Sequence, residues 1–198
     1  MNLIFTPPSL EDLIRLLKAW RFWVFGAIIG AALGAAVYFI SPPEYRAKAT
    51  VNVDFNLEQA FPENNDRQDF YYLEREARKM VELAFSDEVL AQLDAPVTEL
   101  RNGKLSLSQP AESGWHFYAD DKNPQKAEAL ASTWATAFAE KAQAEIEAGN
   151  LNEFIKLEVT QSANLPKERS VPLANYLLAG AMAFWLAAVF FVLFLKSK

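Results

Sequence analysis

Two long uncharged apolar runs constrain this chain more than any other feature. Phe22 to Ile40 is a run of 19 residues, and Leu173 to Leu195 is a run of 23 residues, with no charged side chain in either. At about 1.5 Å of rise per residue, a helix of either length covers the roughly 30 Å hydrocarbon core of a bilayer. The sequence therefore predicts transmembrane helices at residues 22–40 and 173–195, with residues 41–172 between them.

The distribution of charge predicts how these helices are oriented, because basic residues near short loops stay in the cytoplasm. Five basic residues flank the two runs: Arg15, Lys18, Arg21, Lys196 and Lys198. Residues 41–172 hold 14 basic and 23 acidic side chains, a net charge of −9 that does not suit a nucleic-acid partner. We expect cytoplasmic ends at residues 1–21 and 196–198, and a central domain in the periplasm or outside the cell.

The first run could instead belong to a cleaved signal peptide, since the small residues Ala35 and Ala36 lie near its end. The apolar region of a signal peptide is usually about 7 to 15 residues long, however. An N-terminal segment that carries acidic residues such as Glu11 and Asp12 before that region is also atypical. We therefore expect an uncleaved membrane anchor.

The lead before the first run has the pattern of a short amphipathic helix. Ser9 to Asp12 supplies a capping serine and acidic residues for the first turn. An apolar stripe follows: Leu13, Ile14, Leu16 and Leu17. We expect this helix at the inner membrane surface, with Trp20 and Trp23 as aromatic anchors at the interface.

The central segment alternates between strand and helix patterns. Period-two alternation predicts a strand over residues 45–55, and Asn123-Pro124 predicts the start of a long helix that ends before Gly149. The predicted order is strand 45–55, loop 56–65, helices 66–85 and 86–93, strands near 105–107 and 115–117, helix 124–148, and strand 154–159. This order predicts an α/β domain with helices packed on a mixed sheet, in which the first and last strands are neighbours.

No pattern for catalysis or cofactor binding is present. The chain has no cysteine and one histidine, His116, and it lacks the glycine-rich phosphate loops and the H-E-x-x-H zinc motif. A lone strand histidine is usually solvated or hydrogen-bonded, and an acidic pair such as Asp120-Asp121 is most often a turn before a helix. We expect no enzyme activity, no cofactor and no metal site.

Glycines recur every fourth residue in the first apolar run, at Gly26, Gly30 and Gly34. Such small-x-x-x-small spacing lets a second helix approach closely in lipid, although glycine and alanine are also common in membrane helices for other reasons. We expect a transmembrane packing face here. We expect Gly180, Ala183 and Ala187 of the second run to be its partner surface.

A proline-containing segment, Ala163 to Pro172, precedes the second run, and prolines stiffen an extended chain. Together with other motifs it resembles the Wzz-type polysaccharide co-polymerases, the chain-length determinants of bacterial surface polysaccharides. The motifs that carry the resemblance are Pro43-Glu-Tyr45-Arg-Ala47, Ser86-Asp-Glu-Val89-Leu90, the helix start Asn123 to Ala131, and the A-x-x-P pattern that includes Pro166 and Pro172. Arg169 replaces the middle proline of that pattern, and Ser132 stands where the family often has asparagine.

The resemblance implies a non-enzymatic homo-oligomer in the inner (plasma) membrane of a bacterium. Such a protein regulates the chain length or export of a surface polysaccharide such as O-antigen, capsule or exopolysaccharide. It implies a polysaccharide polymerase in the membrane as partner, with Pro166, Arg169 and Pro172 as the coupling segment. There is little room for the long helix of the O-antigen regulators, and we expect no fused kinase. An adaptor that activates a separate cytoplasmic tyrosine kinase is therefore an alternative. An alternative from another class of protein is a membrane-anchored enzyme or glycan-binding module that uses Trp115, Trp134 and the acidic turns.

Overall fold

The computed structural model describes residues 10–60, 66–109 and 114–194, and the chain divides into two compact units. One unit contains the residues up to Pro42 and from Val171 onward, and the other spans Pro43–Ser170. The domain limits expected at residues 41 and 172 each lie two residues outside the second unit.

The first unit consists of three helices: α1 (Leu10–Lys18), α2 (Trp20–Ile40) and α8 (Leu173–Phe194). Both α2 and α8 are long and apolar enough to cross a membrane. Helix α2 ends at Ile40, because the prolines that follow cannot continue the helical hydrogen bonds, and the capping residue Ser41 is extended with a ψ of 139°. The expected capping residue Ser9 and the terminal Lys196 and Lys198 lie outside the described residues.

The second unit contains one four-stranded sheet in the order β2-β3-β1-β4. Its strands are β1 (Tyr45–Asp54), β2 (Leu105–Ser108), β3 (Trp115–Asp121) and β4 (Lys156–Gln161). Every pairing is antiparallel, including that of β1 with β4, which also contains a register shift between Thr50 and Val51. The sheet is therefore antiparallel throughout, where a mixed sheet was expected.

Short and long helices connect these strands. They are α3 (Leu57–Ala60), α4 (Asp66–Ala84), α5 (Asp87–Leu90), α6 (Val97–Glu99), a π-type turn (Leu100–Lys104) and α7 (Pro124–Glu147). Capping side chains begin two of them: the Ser86 hydroxyl accepts from the N–H of Val89, and the Asn123 side chain accepts from the N–H groups of Gln125 and Lys126.

The core lies between one face of the sheet and α7. Ala47, Ala49 and Val51 of β1 are buried on that face, and the small alanines leave room for large aromatic side chains from neighbouring elements. Phe117 of β3 packs against Trp134 of α7, with ring centroids 4.8 Å apart. Burial of these aromatic rings supplies much of the hydrophobic stabilisation of the unit.

The sequence predicted the class and order of these elements correctly. The α/β unit, the two membrane-length helices and the adjacency of the first and last strands are confirmed. The loop expected over residues 56–65 was partly wrong, because residues 57–60 form α3, and residues 61–65 lie outside the described part. The second short helix ends at Leu90 and not near Leu93.

Candidate functional site

The glycine face of α2 packs against α8 within the same chain. Gly30 and Gly34 are the two buried residues of α2, and Gly26 is half-buried. A Cβ atom added to Gly30 would lie 2.7 Å from Cβ of Phe184 and closer still to the carbonyl oxygen of Gly180. Because real Cβ atoms do not approach backbone this closely, the helix contact requires glycine at this position.

The same contact continues one turn away in both directions. A Cβ atom on Gly34 would lie 2.8 Å from the carbonyl carbon of Tyr176, and one on Gly26 would lie 3.0 Å from Cβ of Ala188. Gly26 is thus the least crowded of the three. The face has a ring contact at one end, where Tyr38 and Tyr176 have centroids 5.4 Å apart.

The partner surface on α8 differs from the one expected. Gly180 lies on it, but Ala183 and Ala187 are exposed, and their places are taken by Phe184 and Ala188. The reason is the spacing of the contact. Residues four apart on α2 meet residues four apart on α8, as in close crossings of small-x-x-x-small helices, whereas Ala183 and Ala187 lie three and seven residues from Gly180.

The expected coupling segment lies in extended and irregular chain after β4. Pro166 and Arg169 are half-buried and belong to the second unit, whereas Pro172 is exposed and belongs to the first. The three residues thus follow one another along the segment, two of them in the second unit and one in the first.

Two serines hold this segment to the second unit, and the sequence analysis did not identify either as a functional residue. The hydroxyl of Ser132 on α7 accepts the N–H of Ala163 at 3.0 Å, and Ala163 is buried. At the other end, the N–H and the hydroxyl of Ser170 both donate to the carbonyl oxygen of Glu44, at 2.8 and 3.1 Å. The available signal was the serine at position 132, where the resembled family often has asparagine, since both side chains offer an oxygen acceptor.

The two tryptophans of the glycan-binding alternative are core residues. Trp134 is fully buried, and its indole N–H donates to the carbonyl oxygen of Ala84 at 2.7 Å. Trp115 is 5% exposed and stacks on Phe138 with a centroid distance of 5.9 Å. Neither ring is available for stacking on a sugar, so this part of the alternative was wrong.

Asp120 and Asp121, which were expected in a turn before α7, are the last two residues of β3 and form ion pairs. Asp120 receives two hydrogen bonds from Arg46, at 2.8 and 2.7 Å, and this pairing raises the pKa of Arg46. Burial opposes ionisation of Asp121, but hydrogen bonds from the N–H of Asn123 and from Lys104 outweigh it and lower the pKa of Asp121. Both carboxylates thus accept hydrogen bonds from nearby donors within the protein.

His116 lies on the sheet face opposite α7, where its Nδ1 is 3.2 Å from the hydroxyl of Thr50. Burial, together with the nearby charge of Lys48, lowers the pKa of His116, so the imidazole is neutral near pH 7. Across residues 10–60, 66–109 and 114–194, no group of three or more histidine or acidic side chains is placed to hold a metal ion.

Comparison with known protein families finds a match over part of the chain. The model of the Wzz family, described as chain length determinant protein, matches residues 9–93. The matched stretch runs from the amphipathic lead through α2, β1 and α4 to the residues after α5, so the predicted resemblance is confirmed. The motifs at Asn123 to Ala131 and at Pro166 to Pro172 lie outside the matched stretch. No curated protein matches the chain.

Proposed function

We propose that this Wzz-type chain is a non-enzymatic, oligomeric membrane protein that regulates the chain length or export of a bacterial surface polysaccharide. The match to the chain length determinant family over residues 9–93 is the observation that carries the proposal. That match includes a membrane-length helix and the first strand of the α/β unit, so it covers part of both units. The family implies a role in determining polysaccharide chain length.

The proposed location is the inner membrane, with both ends in the cytoplasm and the unit Pro43–Ser170 outside it. The basic residues Arg15, Lys18 and Arg21 before α2 support this orientation, since cytoplasmic flanks are enriched in Lys and Arg. The net charge of −9 between the two runs also fits a segment that is translocated and does not bind nucleic acid.

The partners of the proposed function are other copies of the chain and a polysaccharide polymerase in the membrane. Close packing of Gly30 and Gly34 on α8 supports a role for the helix pair as one rigid body on which such partners could dock. The segment from Ala163 to Ser170, held at both ends by serine hydrogen bonds, is proposed to couple the outer unit to the polymerase.

A deletion strain tests this proposal. Loss of the gene should change the size distribution of the surface polysaccharide on a gel, and a plasmid copy should restore it. The amount of polysaccharide precursor is measured in parallel, so that a defect in synthesis is separated from a defect in length. An unchanged size distribution and unchanged export in the deletion strain would refute the proposal.

A further inference from the structure

Helix α1 has an apolar face that no part of the described chain covers. Leu10, Ile14 and Leu17 are 79%, 53% and 70% exposed, and their spacing places them on one side of the helix. Leu16, by contrast, is half-buried, so one side of α1 contacts protein and the exposed side faces away.

A defined break separates α1 from the membrane-length helix α2. Ala19, the one residue between them, has a ψ of 16°, which departs from the helical value of about −42°. The indole N–H of Trp23 on α2 donates to the carbonyl oxygen of Leu16 at 3.1 Å. This bond satisfies a carbonyl that the end of α1 leaves without a helical partner, and it therefore fixes α1 relative to α2.

The basic residues near the exposed face favour the lipid headgroup region as its surroundings. Arg15 and Lys18 lie in the last turn of α1 and are exposed, and Arg21 follows at the start of α2 with its guanidinium 5.7 Å from the centre of the Trp20 ring. Tryptophan and arginine at the start of a spanning helix belong at the level of the lipid headgroups. A helix joined to that point by one residue is held at the same depth.

We infer that α1 lies in the plane of the membrane surface, with Leu10, Ile14 and Leu17 in the acyl boundary and Arg15 and Lys18 bound to anionic headgroups. An amphipathic helix with basic residues beside its apolar face binds in this way. Each basic residue near such a surface strengthens binding to anionic lipid by roughly fivefold. The inference concerns lipid recognition and does not depend on the proposed role in polysaccharide length.

Single spin labels on the full chain test the depth of α1. The chain has no cysteine, so Leu17→Cys and Glu11→Cys each give one labelled site, the second on the polar side as a control. In nanodiscs of phosphatidylcholine mixed with phosphatidylglycerol, we expect the label at position 17 to be accessible to oxygen and shielded from a water-soluble nickel chelate. The label at position 11 should show the opposite preference.

Two further variants test the headgroup contact and the indole hydrogen bond. With the label at position 17, the double change Arg15→Gln and Lys18→Gln should lower the ratio of immersed to water-exposed label by at least roughly fivefold in the anionic nanodiscs, and much less in phosphatidylcholine alone. Trp23→Phe keeps a ring against Trp185 but removes the donor to Leu16, and it should make the label more mobile.

Four outcomes would overturn parts or all of the inference. A label at position 17 that the nickel chelate reaches in both membranes would place α1 in water. A label shielded from both oxygen and nickel would show that protein, such as a second copy, covers the face. If the label at position 17 stays equally immersed after the glutamine changes, anionic lipid does not hold α1 at the surface. If the label is no more mobile in Trp23→Phe, the indole hydrogen bond does not fix α1 relative to α2.

Discussion

Gly30 of α2 and Gly180 of α8 face each other so closely that a Cβ atom on either would collide with the carbonyl oxygen of the other. In lipid no water-driven hydrophobic force holds two helices together, so close van der Waals packing provides most of their attraction. The pair Gly30–Gly180 therefore sets the distance between the two spanning helices, and a side chain at either position would force them apart.

Gly30→Leu should separate α2 from α8 without preventing membrane insertion, because leucine is favourable at the centre of a spanning helix. Overpacking of a close contact costs about 1–3 kcal/mol, and the backbone collision here places this change at the upper end. We expect a lower melting temperature of the purified protein in mild detergent and an altered polysaccharide size distribution.

Ala36→Leu is the matched control for this change. Ala36 lies on the same helix but is exposed, so the added side chain meets lipid and not α8. Leu33→Ala, at a residue that is 48% exposed, tests the loss of bulk in the same region. Equal melting temperatures for Gly30→Leu and Ala36→Leu would show that the glycine contact contributes nothing to stability.

Patterns that depend on neighbours in sequence allowed most of the fold to be predicted. Period-two alternation identified β1, and Asn123-Pro124 identified the start of α7, because capping and alternation act within a few residues. The direction of pairing within the sheet depends on contacts between distant strands, and so a mixed sheet was predicted where the pairing is antiparallel. The same limit explains Trp115, whose burial depends on its stacking with Phe138 of α7.

Less of the candidate site could be predicted from the sequence, because its contacts also join residues that are distant in the chain. Spacing of four identified Gly26, Gly30 and Gly34 on α2, but the facing residues on α8 depend on the crossing of the two helices, so Ala183 was chosen where Phe184 makes the contact. A hydrogen bond such as that between Ser132 and Ala163 joins residues 31 positions apart, and no local pattern predicts it.

Ser132→Ala should loosen the segment that precedes the second spanning helix. The change leaves the buried N–H of Ala163 without its acceptor, and such a loss costs about 1–3 kcal/mol. We expect faster amide exchange at Ala163 and a lower free energy of unfolding of the second unit, Pro43–Ser170. If the segment couples to the polymerase as proposed, the polysaccharide size distribution should also shift.

Two control variants accompany Ser132→Ala. Ser132→Asn keeps an oxygen acceptor and should preserve more of the amide protection than alanine does. Ser162→Ala alters an exposed serine next to Ala163 and should leave exchange unchanged. If Ser132→Ala leaves the amide of Ala163 as protected as in the parent, the hydroxyl does not hold the segment in solution.

Reporter fusions test the proposed topology. A periplasmic reporter should be active when fused between about Ser41 and Pro172, for example after Gly149, and inactive when fused before Arg15. The physical reason is the excess of basic residues on the flanks and of acidic residues between the two spans. A cytoplasmic signal from the fusion after Gly149 would contradict the topology, as would removal of the first 36 residues by a signal peptidase.

His116 should make the stability of the second unit dependent on pH. Burial and Lys48 lower the pKa of His116 in the folded state. At pH values between the folded and the unfolded pKa, the unfolded chain therefore binds more protons than the folded one. Stability should therefore be highest above the unfolded pKa of about 6.5, fall as the pH drops through that value, and level off below the folded pKa. The free energy of unfolding, followed by tryptophan fluorescence from pH 8 down to about pH 5, measures this effect.

His116→Gln removes the titrating group, so the difference between parent and variant isolates its contribution from those of the carboxylates, which titrate at lower pH. Lys48→Gln keeps the histidine but removes the repelling charge. It should reduce the loss of unfolding free energy at low pH without abolishing it. His116→Ala should leave polysaccharide length unchanged, provided that the protein accumulates. A parent protein whose stability changes with pH in the same way as that of His116→Gln would show that the pKa of His116 is not lowered by folding, and a stable His116→Ala protein without activity would favour a catalytic role instead.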